Sequence, residues 1–362
     1  MAVRMRNTPA RDAAAGRRAL ADVHRAGETP DSGDAAGSAA LEGAGFSVVR
    51  TKGPYEALAT KGSFDGLITL PTGEEVHVRI RPGKNPSNWP PIVYLDGLNG
   101  AASRSKKIDT LTETHGHTLV SVALLGQGET LLRDLEKTGG QSLADDIDPK
   151  DQVSVLMATL DTLGVKAPVH LLGLSYGGGI AALAKQTHPD RFQKLMLVAP
   201  YTKSMSLHDP MRAAFHAALT NPWNPMGQFV YRSITETALS FGVFPPDVFT
   251  TTEQREACRK GFARLTLGME TFDLETVAEG LEHVHFLSMP LDVVSPGGMA
   301  KAAYAKTKKG SFTDANFFFD GWKHDLIDLD PTLMTRWVQS VMRDQRKGLG
   351  HMGLGAKDLD ED

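Results

Sequence analysis

Hydrophobic positions along the chain fall into short runs that are separated by amphipathic stretches. Between two of these runs, residues 151–163 carry apolar side chains at helical spacing, and Gly164 ends the pattern. Short apolar strands that alternate with helices predict an α/β fold whose parallel sheet is covered on both faces. The mostly apolar runs of strand length are residues 92–95, 118–125, 169–172 and 195–198.

The segments outside these alternating elements have other patterns. Residues 64–70 and 76–80 are rich in β-forming residues on either side of a Pro-Thr-Gly turn, which predicts a β-hairpin. Residues 1–45 are rich in alanine, glycine and arginine and have few large apolar side chains, so we expect a disordered arm. Residues 348–362 end in DLDED and are expected to form a flexible acidic tail.

Composition and charge disfavour several classes of function. Of the 362 residues, 41% are hydrophobic and 23% are charged, as in globular proteins. The net charge of −4 provides no electrostatic basis for binding nucleic acid. No apolar run is long enough to cross a bilayer, so we expect no membrane insertion. The single cysteine, Cys258, favours a cytoplasmic location, with organelle targeting through the N-terminal arm as the alternative.

The strongest candidate for chemistry is the glycine-rich segment GLSYGGG at residues 173–179. It lies between the apolar run 169–172 and the helix-forming sequence IAALAK, so its G-x-S-x-G pattern separates a predicted strand from a predicted helix. A sharp turn there projects the hydroxyl of Ser175 away from both elements, and small neighbours leave it room. Tyr176 begins the helix, where its N–H can face developing negative charge. We therefore expect Ser175 to be a nucleophile.

Further segments occur in the order found in a known family. They are YLDGLNG at 94–100, LLGQGET at 124–130, HPDR at 188–191 and GWKHD at 321–325. Together with the serine turn, they make residues 64–345 resemble the α/β-hydrolase superfamily. The resemblance implies a mostly parallel central sheet flanked by helices, with the active site at the carboxyl ends of the strands. It divides the chain into a core of residues 46–200 and 283–347 and a helical cap of residues 201–282, inserted after the strand that ends near Pro200.

A serine hydroxyl needs a base to take its proton, and the base needs an acid to orient it. In this superfamily the chain order is Ser, then Asp or Glu, then His. By resemblance the base is His324, in the loop that precedes an amphipathic helix at 331–342. The acid is expected to be Asp292, after the predicted strand 284–289. The other candidates for the acid are Asp209, Asp320 and Asp325.

The negative charge that forms during attack needs backbone donors, each of which typically supplies roughly 10²–10³ in rate. By resemblance these are the N–H groups of Tyr176 and of Leu98, which lies in the loop after residues 92–95. Many relatives carry His-Gly in that loop, whereas this chain has Asp96-Gly97. We interpret Asp96 as a residue that structures the loop, and its charge beside the site departs from the family pattern.

The predicted cap is rich in large apolar side chains on helical pieces. Most of them are expected to form the cap's own core. A minority are expected to line a pocket for an apolar or aromatic part of the substrate. The positions concerned are Phe215, Leu219, Trp223, Phe229, Phe241, Phe244 and Phe262.

Other patterns give no cofactor or metal site. The sequence GLGHMG at 348–353 spells G-x-G-x-x-G, but it follows a predicted helix and no βαβ unit can form there, so no dinucleotide cofactor is expected. Two histidine pairs lack further ligands at suitable spacing, so no metal site is expected. Cys258 has no recognisable partner and is expected to be a buried, inert thiol. The pairs are His115 with His117 and His283 with His285.

These observations predict a cofactor-independent serine hydrolase that acts on a carboxylic ester or thioester of a small-molecule substrate. Hydrolysis of an amide, a lactone or a carbon–carbon bond would use the same residues. An acyltransferase, in which an alcohol or amine replaces water, is the first alternative. A non-catalytic binding protein on the same fold is the second, since a fold does not by itself prove chemistry.

Overall fold

One sheet runs through the molecule. The computed structural model describes residues 63–84, 90–138, 147–166, 168–204, 209–221, 223–240, 247–343 and 354–355. In these residues nine strands pair in a single sheet. They are β1 (Phe64–Thr69), β2 (Glu75–Arg81), β3 (Ile92–Leu95), β4 (Leu119–Ala123), β5 (Val169–Leu174), β6 (Phe192–Val198), β7 (Val284–Ser288), β8 (Gly310–Ala315) and β9 (Leu354–Gly355).

The sheet is mostly parallel, and its strand order is β1-β2-β4-β3-β5-β6-β7-β8-β9. Every pair from β4 to β8 is parallel. At one edge, β1 pairs antiparallel with β2 and β2 with β4; at the other, the short β9 pairs antiparallel with β8. The predicted hairpin and the mostly parallel central sheet are both confirmed.

Helices connect the parallel strands. Helix α3 (Pro149–Thr162) begins as its sequence dictates, because Pro149 occupies the first turn and the Asp148 side chain accepts from the Lys150 N–H. No helix among the described residues combines the length and the apolar character needed to span a bilayer. The helices are α1 (Thr110–Glu113), α2 (Gly128–Thr138), α3 (Pro149–Thr162), α4 (Tyr176–Thr187), α5 (Asp209–Thr220), α6 (Pro225–Ser240), α7 (Thr252–Gly268), α8 (Leu274–Ala278), α9 (Gly297–Tyr304), α10 (Leu326–Leu329) and α11 (Pro331–Met342), with a 3₁₀ helix at Ala102–Ile108.

Apolar side chains cover both faces of the sheet, because alternate residues of a strand point in opposite directions. In β3, Val93 and Leu95 pack into one core with α3 and α4. Ile92 and Tyr94 pack into a second core with α11. All four residues are at most 1% exposed. The strand is apolar throughout because neither of its faces meets water.

Between β6 and β7 the chain leaves the sheet and forms α5 to α8. Phe215 packs edge to face against Tyr231 and Phe262, with ring centroids 5.9 and 5.7 Å apart. These rings belong to a separate core cluster. Trp223 and Phe229 are instead 90% and 68% exposed. Part of the predicted aromatic set therefore forms a local core, and its remaining two phenylalanines, at 241 and 244, lie outside the described residues.

Some of the sequence expectations differ from the structure or fall outside it. Strand β8 was missed because its sequence, GSFTDA, is too polar to form an apolar run. The nearby apolar run at 317–319 lies instead in a turn, where Phe318 is 83% exposed. The predicted arm at 1–45 lies outside the described residues. So does the predicted tail at 348–362, except for the two residues of β9.

Candidate active site

Ser175 lies in the turn between β5 and α4, at the carboxyl ends of the parallel strands. Its backbone has φ 50° and ψ −116°, a conformation that costs a residue roughly 1–3 kcal/mol and persists only where the surrounding contacts fix it. The Ser175 N–H donates to the Val198 carbonyl at 3.0 Å, and its carbonyl accepts from the Tyr201 N–H at 2.8 Å. Val198 ends the neighbouring strand β6 and Tyr201 lies three residues after it, so this strand and the segment that follows it hold the turn in place.

The glycines of this turn are required because the backbone passes too close for side chains. A Cβ at Gly177 would lie 2.3 Å from the Leu95 carbonyl oxygen and 2.4 Å from that of Asp96. A Cβ at Gly173 would lie 2.6 Å from the Gly177 carbonyl oxygen. These separations are far inside van der Waals contact. The first turn of α4 therefore packs directly on the end of β3.

Three side chains named from the sequence meet at this turn. His324 Nε2 lies 2.8 Å from Ser175 Oγ, and His324 Nδ1 lies 2.6 Å from Asp292 Oδ2. An ionised carboxylate can only accept, so Nδ1 carries the ring proton and Nε2 is left to accept from the serine hydroxyl. A continuous hydrogen-bonded chain thus runs from Asp292 through His324 to Ser175.

Backbone donors fix the carboxylate of Asp292. Its side chain is 1% exposed. Oδ1 accepts from the N–H groups of Val294 and Ser295 at 2.8 and 3.0 Å. Because these donors occupy Oδ1, the other oxygen is the one that faces the imidazole. The turn beyond β7 thus orients the carboxylate independently of its contact with the histidine.

The other carboxylates considered for the acid role have different partners. Asp320 forms an ion pair of 2.7 Å with a lysine. Asp325, which directly follows His324 in the chain, accepts at Oδ2 from Arg104 Nη2 at 2.5 Å. Asp209 is the first residue of α5. Asp292 is therefore the candidate that the structure brings to the imidazole.

The loop after β3, residues 96–100, lies beside Ser175, and we call it the β3 loop. A Cβ at Gly97 would lie 3.5 Å from Ser175 Cβ. The Gly97 carbonyl accepts from Gln127 Nε2 at 2.8 Å, which fixes the loop. Within the described part of the chain, neither the Leu98 N–H nor the Tyr176 N–H donates a hydrogen bond. Both groups are therefore available to an acceptor that enters the site.

Asp96 organises the β3 loop, in agreement with its interpretation from the sequence. It is 3% exposed. Oδ1 accepts from the Tyr94 hydroxyl and the Gly97 N–H, both at 2.7 Å, and Oδ2 accepts from the Ala101 N–H at 3.2 Å. Arg104 Nη1 donates to the two oxygens at 3.0 and 2.9 Å. The charge that departs from the family pattern is thus compensated by a guanidinium.

The sequence pattern gave no role to Gln127 or Arg104. Both are buried, with 1% and 6% of their surface exposed. Arg104 lies in a polar segment, residues 103–114, whose composition is typical of a solvated face, so no local signal marks it. Gln127 falls within a segment that resembles the family, but its type alone does not indicate a contact across the site. Only the tertiary structure shows what these two side chains bind.

Two histidines and the cysteine outside this site are buried: His117, His170 and Cys258 are at most 4% exposed. Burial lowers the pKa of His117 to about 4 and that of His170 to about 3, so both rings are neutral at pH 7. Among the residues that the structure describes, no group of three or more His, Cys, Asp or Glu side chains could hold a metal ion. Cys258 is a buried free thiol, and burial raises its pKa.

The two loops that carry Asp292 and His324 also expose apolar side chains. We call residues 289–296 the acid loop and residues 316–325 the histidine loop. Val293 in the first is 81% exposed and Phe318 in the second is 83% exposed. A backbone hydrogen bond of 2.7 Å joins the two loops. Apolar surface therefore lies on the same loops as the polar groups of the site.

A family model and many solved structures match this chain. The model described as alpha/beta hydrolase fold matches residues 90–280. A hydrolase from Pseudomonas aeruginosa PA01 is similar with a TM-score of 0.56 and 15% identity, covering 77% of this chain and 98% of that one. The enol-lactonase from Burkholderia xenovorans LB400 has a TM-score of 0.56 and 16% identity, covering 76% and 99%.

An esterase from Exiguobacterium antarcticum is also similar, with a TM-score of 0.55 and 14% identity, covering 77% of this chain and all of that one, 100%. At identities this low, a likeness between structures shows the fold and does not transfer a substrate. The match to the family model spans β3 to α8 and includes the serine turn. The family model thus covers the serine turn, whereas Asp292 and His324 lie beyond its last matched residue.

Proposed function

Because the chain belongs to the alpha/beta hydrolase-fold family, we propose that it is a serine hydrolase that cleaves a carboxylic ester or thioester of a small, partly apolar substrate. The observation that carries this proposal is the hydrogen-bonded chain from Asp292 through His324 to Ser175, with contacts of 2.6 and 2.8 Å. This arrangement can turn a weakly acidic hydroxyl into a nucleophile.

In the first half-reaction, Ser175 Oγ attacks the carbonyl carbon of the substrate while His324 Nε2 takes the hydroxyl proton. The carboxylate of Asp292 stabilises the imidazolium that forms, and it keeps the ring in the required tautomer. The N–H groups of Leu98 and Tyr176 would donate to the negatively charged oxygen of the tetrahedral intermediate. His324 then returns the proton to the leaving alcohol or thiol, and an acyl-enzyme remains on Ser175.

In the second half-reaction, water attacks the acyl-enzyme with His324 again acting as the base. The carbonyl–Oγ bond breaks, the proton returns to Ser175, and the carboxylic acid leaves. Nothing in this cycle requires a group beyond the protein and water, which is consistent with a cofactor-independent hydrolase.

The helices between β6 and β7 are proposed to act as a cap that shapes the acyl site. Two features support this role. The apolar cluster of these helices includes Leu131 of α2, the helix that follows β4. This contact attaches the helices to the part of the molecule that contains the sheet. The exposed apolar side chains of the acid and histidine loops would suit an apolar part of the substrate. A cytoplasmic location is also proposed, because Cys258 is a free thiol.

Labelling with a fluorescent fluorophosphonate tests this function directly. We expect the wild-type protein to be labelled covalently. Ser175→Ala and His324→Ala should not be labelled, because neither variant can form an activated serine. A screen of p-nitrophenyl esters and acyl thioesters should give turnover that falls at least about 10³-fold in Ser175→Ala.

Ser154→Ala is the matched control, since Ser154 lies on α3 and donates to the Lys150 carbonyl at 3.0 Å, away from the site. It should be labelled as the wild type is. Labelling that persists in Ser175→Ala would contradict the proposal. If Ser175 is labelled but product forms only when an alcohol or amine is added, the protein would instead be an acyltransferase.

A further inference from the structure

Arg104 contacts two segments of the candidate site, the β3 loop and the histidine loop. Its side chain is 5% exposed. Nη1 donates to both carboxylate oxygens of Asp96, at 3.0 and 2.9 Å, in the β3 loop. Nη2 lies 2.5 Å from Asp325 Oδ2 in the histidine loop and 3.2 Å from Asp328 Oδ1 in α10. One guanidinium therefore joins the β3 loop to Asp325 of the histidine loop, which lies 221 positions after the arginine in the chain.

We propose that Arg104 is a positioning residue that fixes the β3 loop and the histidine loop relative to each other. The β3 loop carries the proposed donor Leu98, two residues after Asp96, and Asp325 directly follows the proposed base His324. This inference rests on the proposed function, because alignment of these loops affects a reaction only if Leu98, His324 and Ser175 act together. Arg104 itself touches neither the substrate carbonyl nor the nucleophile.

The geometry of the contacts requires an arginine. A guanidinium is planar and presents its N–H groups in a rigid fork, so one nitrogen can serve Asp96 while the other serves Asp325. A lysine ammonium is a point charge, and it could neutralise one carboxylate without holding both loops at fixed distances. In a reaction that depends on alignment, a displacement of about 1 Å can cost about 10²-fold in rate.

Arg104 also compensates a charge that would oppose catalysis. The buried Asp96 carboxylate lies next to Gly97, whose Cβ position is 3.5 Å from Ser175 Cβ. An uncompensated negative charge there would disfavour the negative charge that develops on the substrate oxygen. Although burial disfavours the charged guanidinium, the carboxylates of Asp96 and Asp325 raise the pKa of Arg104 above its ordinary value. The arginine is therefore positively charged throughout the working pH range.

The contact with Arg104 is one of the polar contacts that hold the histidine loop. Asp325 Oδ1 has no hydrogen-bond partner in the described part of the chain, whereas Oδ2 binds Arg104. The His324 side chain is 24% exposed, so packing alone does not enclose it. The contact with Arg104 thus anchors the chain immediately after the imidazole, and Asp292 anchors the ring itself.

The test compares Arg104→Gln with Arg79→Gln in the full-length protein. Arg79 is the matched control because its side chain is 7% exposed and forms a similar buried pair with Asp109, at 2.8 and 2.5 Å. Its further hydrogen bond, of 3.0 Å to Ser105 Oγ, touches neither loop. Both variants should be less stable. We expect kcat for a p-nitrophenyl ester to fall about 10- to 100-fold in Arg104→Gln, with KM changed by less than about threefold. In folded Arg79→Gln, kcat should stay within about threefold of the wild-type value.

Arg104→Lys separates the bridging of the two loops from the positive charge, because it keeps the charge and removes the guanidinium. It also replaces Arg104→Gln in the test if that variant does not fold. We expect its kcat to remain at least about 10-fold below that of the wild type, because lysine cannot hold both carboxylates. Wild-type kcat in the lysine variant would overturn the bridge, and so would equal losses of kcat in folded Arg104→Gln and Arg79→Gln.

Crystal structures of the wild type and Arg104→Lys decide the proposal even if no substrate is found. We expect the β3 loop or His324 to shift by about 1 Å relative to Ser175. Superposable loops with an unchanged distance from Nε2 to Oγ would overturn the bridge. A wild-type protein that neither reacts with fluorophosphonate nor cleaves esters would count against the proposed function, and the crystallographic comparison would still decide the role of Arg104.

Discussion

The serine turn and the histidine loop bring two side chains to one site, yet they are held in different ways. Ser175 is 8% exposed and lies in a turn fixed by backbone hydrogen bonds to the β6 side and by close backbone packing at Gly177. His324 lies in a loop with exposed aromatic side chains, and side chains from distant segments, Arg104 and Asp292, hold it. Local backbone geometry determines the first position, and long-range polar contacts determine the second.

This difference implies different responses to mutation. A defect in the serine turn should distort the core, because the turn is continuous with β5 and α4. A defect in the histidine loop should leave the core folded and should change activity through alignment or tautomer. The predictions below test this contrast, beginning with the largest expected effect.

Gly177→Ala should disrupt the serine turn and the packing of α4 on β3. The added Cβ would lie 2.3 Å from the Leu95 carbonyl oxygen, and backbone atoms cannot move aside without shifting a strand. We expect a loss of at least about 3 kcal/mol in the free energy of unfolding and loss of fluorophosphonate labelling. Urea denaturation followed by circular dichroism measures the first.

The control for that variant is Gly298→Ala, in α9, where an added Cβ meets nothing within 4 Å. The free energy of unfolding should be unchanged or raised, by no more than about 1 kcal/mol. Equal destabilisation by the two substitutions would show that the serine turn is not specially constrained.

Asp292→Asn should inactivate the site while the fold persists. The backbone donors Val294 and Ser295 already occupy Oδ1, so the amide NH₂ would face His324 Nδ1 and force that nitrogen to accept. The ring proton would then sit on Nε2, which could no longer take the serine proton. We expect kcat for a p-nitrophenyl ester to fall on the order of 10²- to 10⁴-fold.

Asp320→Asn is the matched comparison for this tautomer effect, because Asp320 is in the histidine loop but pairs with Lys323. Its kcat should stay within about threefold of that of the wild type. A larger loss in Asp320→Asn than in Asp292→Asn would mean that the acid has been assigned to the wrong carboxylate.

The strand that leads into the serine turn should make the protein sensitive to acid. His170 lies in β5, where burial, followed by the charge of Lys194, lowers its pKa from 6.5 to about 3. Below pH 6.5 the unfolded chain takes up a proton that the folded protein excludes, so stability falls as the pH drops from 6.5 towards 3. When the pH is lowered from 7 to 5, the free energy of unfolding of His170→Gln should fall by about 2 kcal/mol less than that of the wild type. Urea midpoints at the two pH values measure this difference, and equal slopes for both proteins would contradict it.

Substitution of the exposed aromatic run should have the smallest effect on stability. Phe318 is 83% exposed and contacts Phe317 with ring centroids 5.4 Å apart. We expect Phe318→Ser to lower the free energy of unfolding by less than about 1 kcal/mol. Phe215→Ala, in the buried core between β6 and β7, should cost about 3 to 5 kcal/mol. A similar cost for both would indicate that the histidine loop is held by packing and not by polar contacts.

The same contrast explains how much the sequence could predict. The serine turn is encoded locally, because glycines around a serine between an apolar strand and a helix leave one geometry open, so Ser175 and the sheet around it could be named. The pairing of Asp292 with His324 could be proposed from chain order in a family that the sequence resembles. The rival Asp325 could be set aside only when the structure showed its contact with Arg104.

Contacts between distant segments left no trace in the local pattern. Strand β8 was missed because its sequence is mostly polar, although it pairs with β7 from Gly310 to Asp314. Gln127 and Arg104 have side chains typical of solvated surfaces, and only the tertiary structure shows that they are buried beside the site. The aromatic run at 317–319 is more apolar than β8 and yet lies in an exposed turn, because hydrophobicity alone does not distinguish a buried strand from an exposed turn.

The most direct test of the account is to trap the acyl-enzyme. The protein is mixed rapidly with a p-nitrophenyl ester, quenched in acid and digested, and the peptide that contains Ser175 is examined by mass spectrometry. If Ser175 is the nucleophile, we expect a burst of p-nitrophenol that is stoichiometric with the enzyme and a matching acyl adduct on Ser175. An adduct on another residue, or ester turnover that persists in Ser175→Ala, would contradict it.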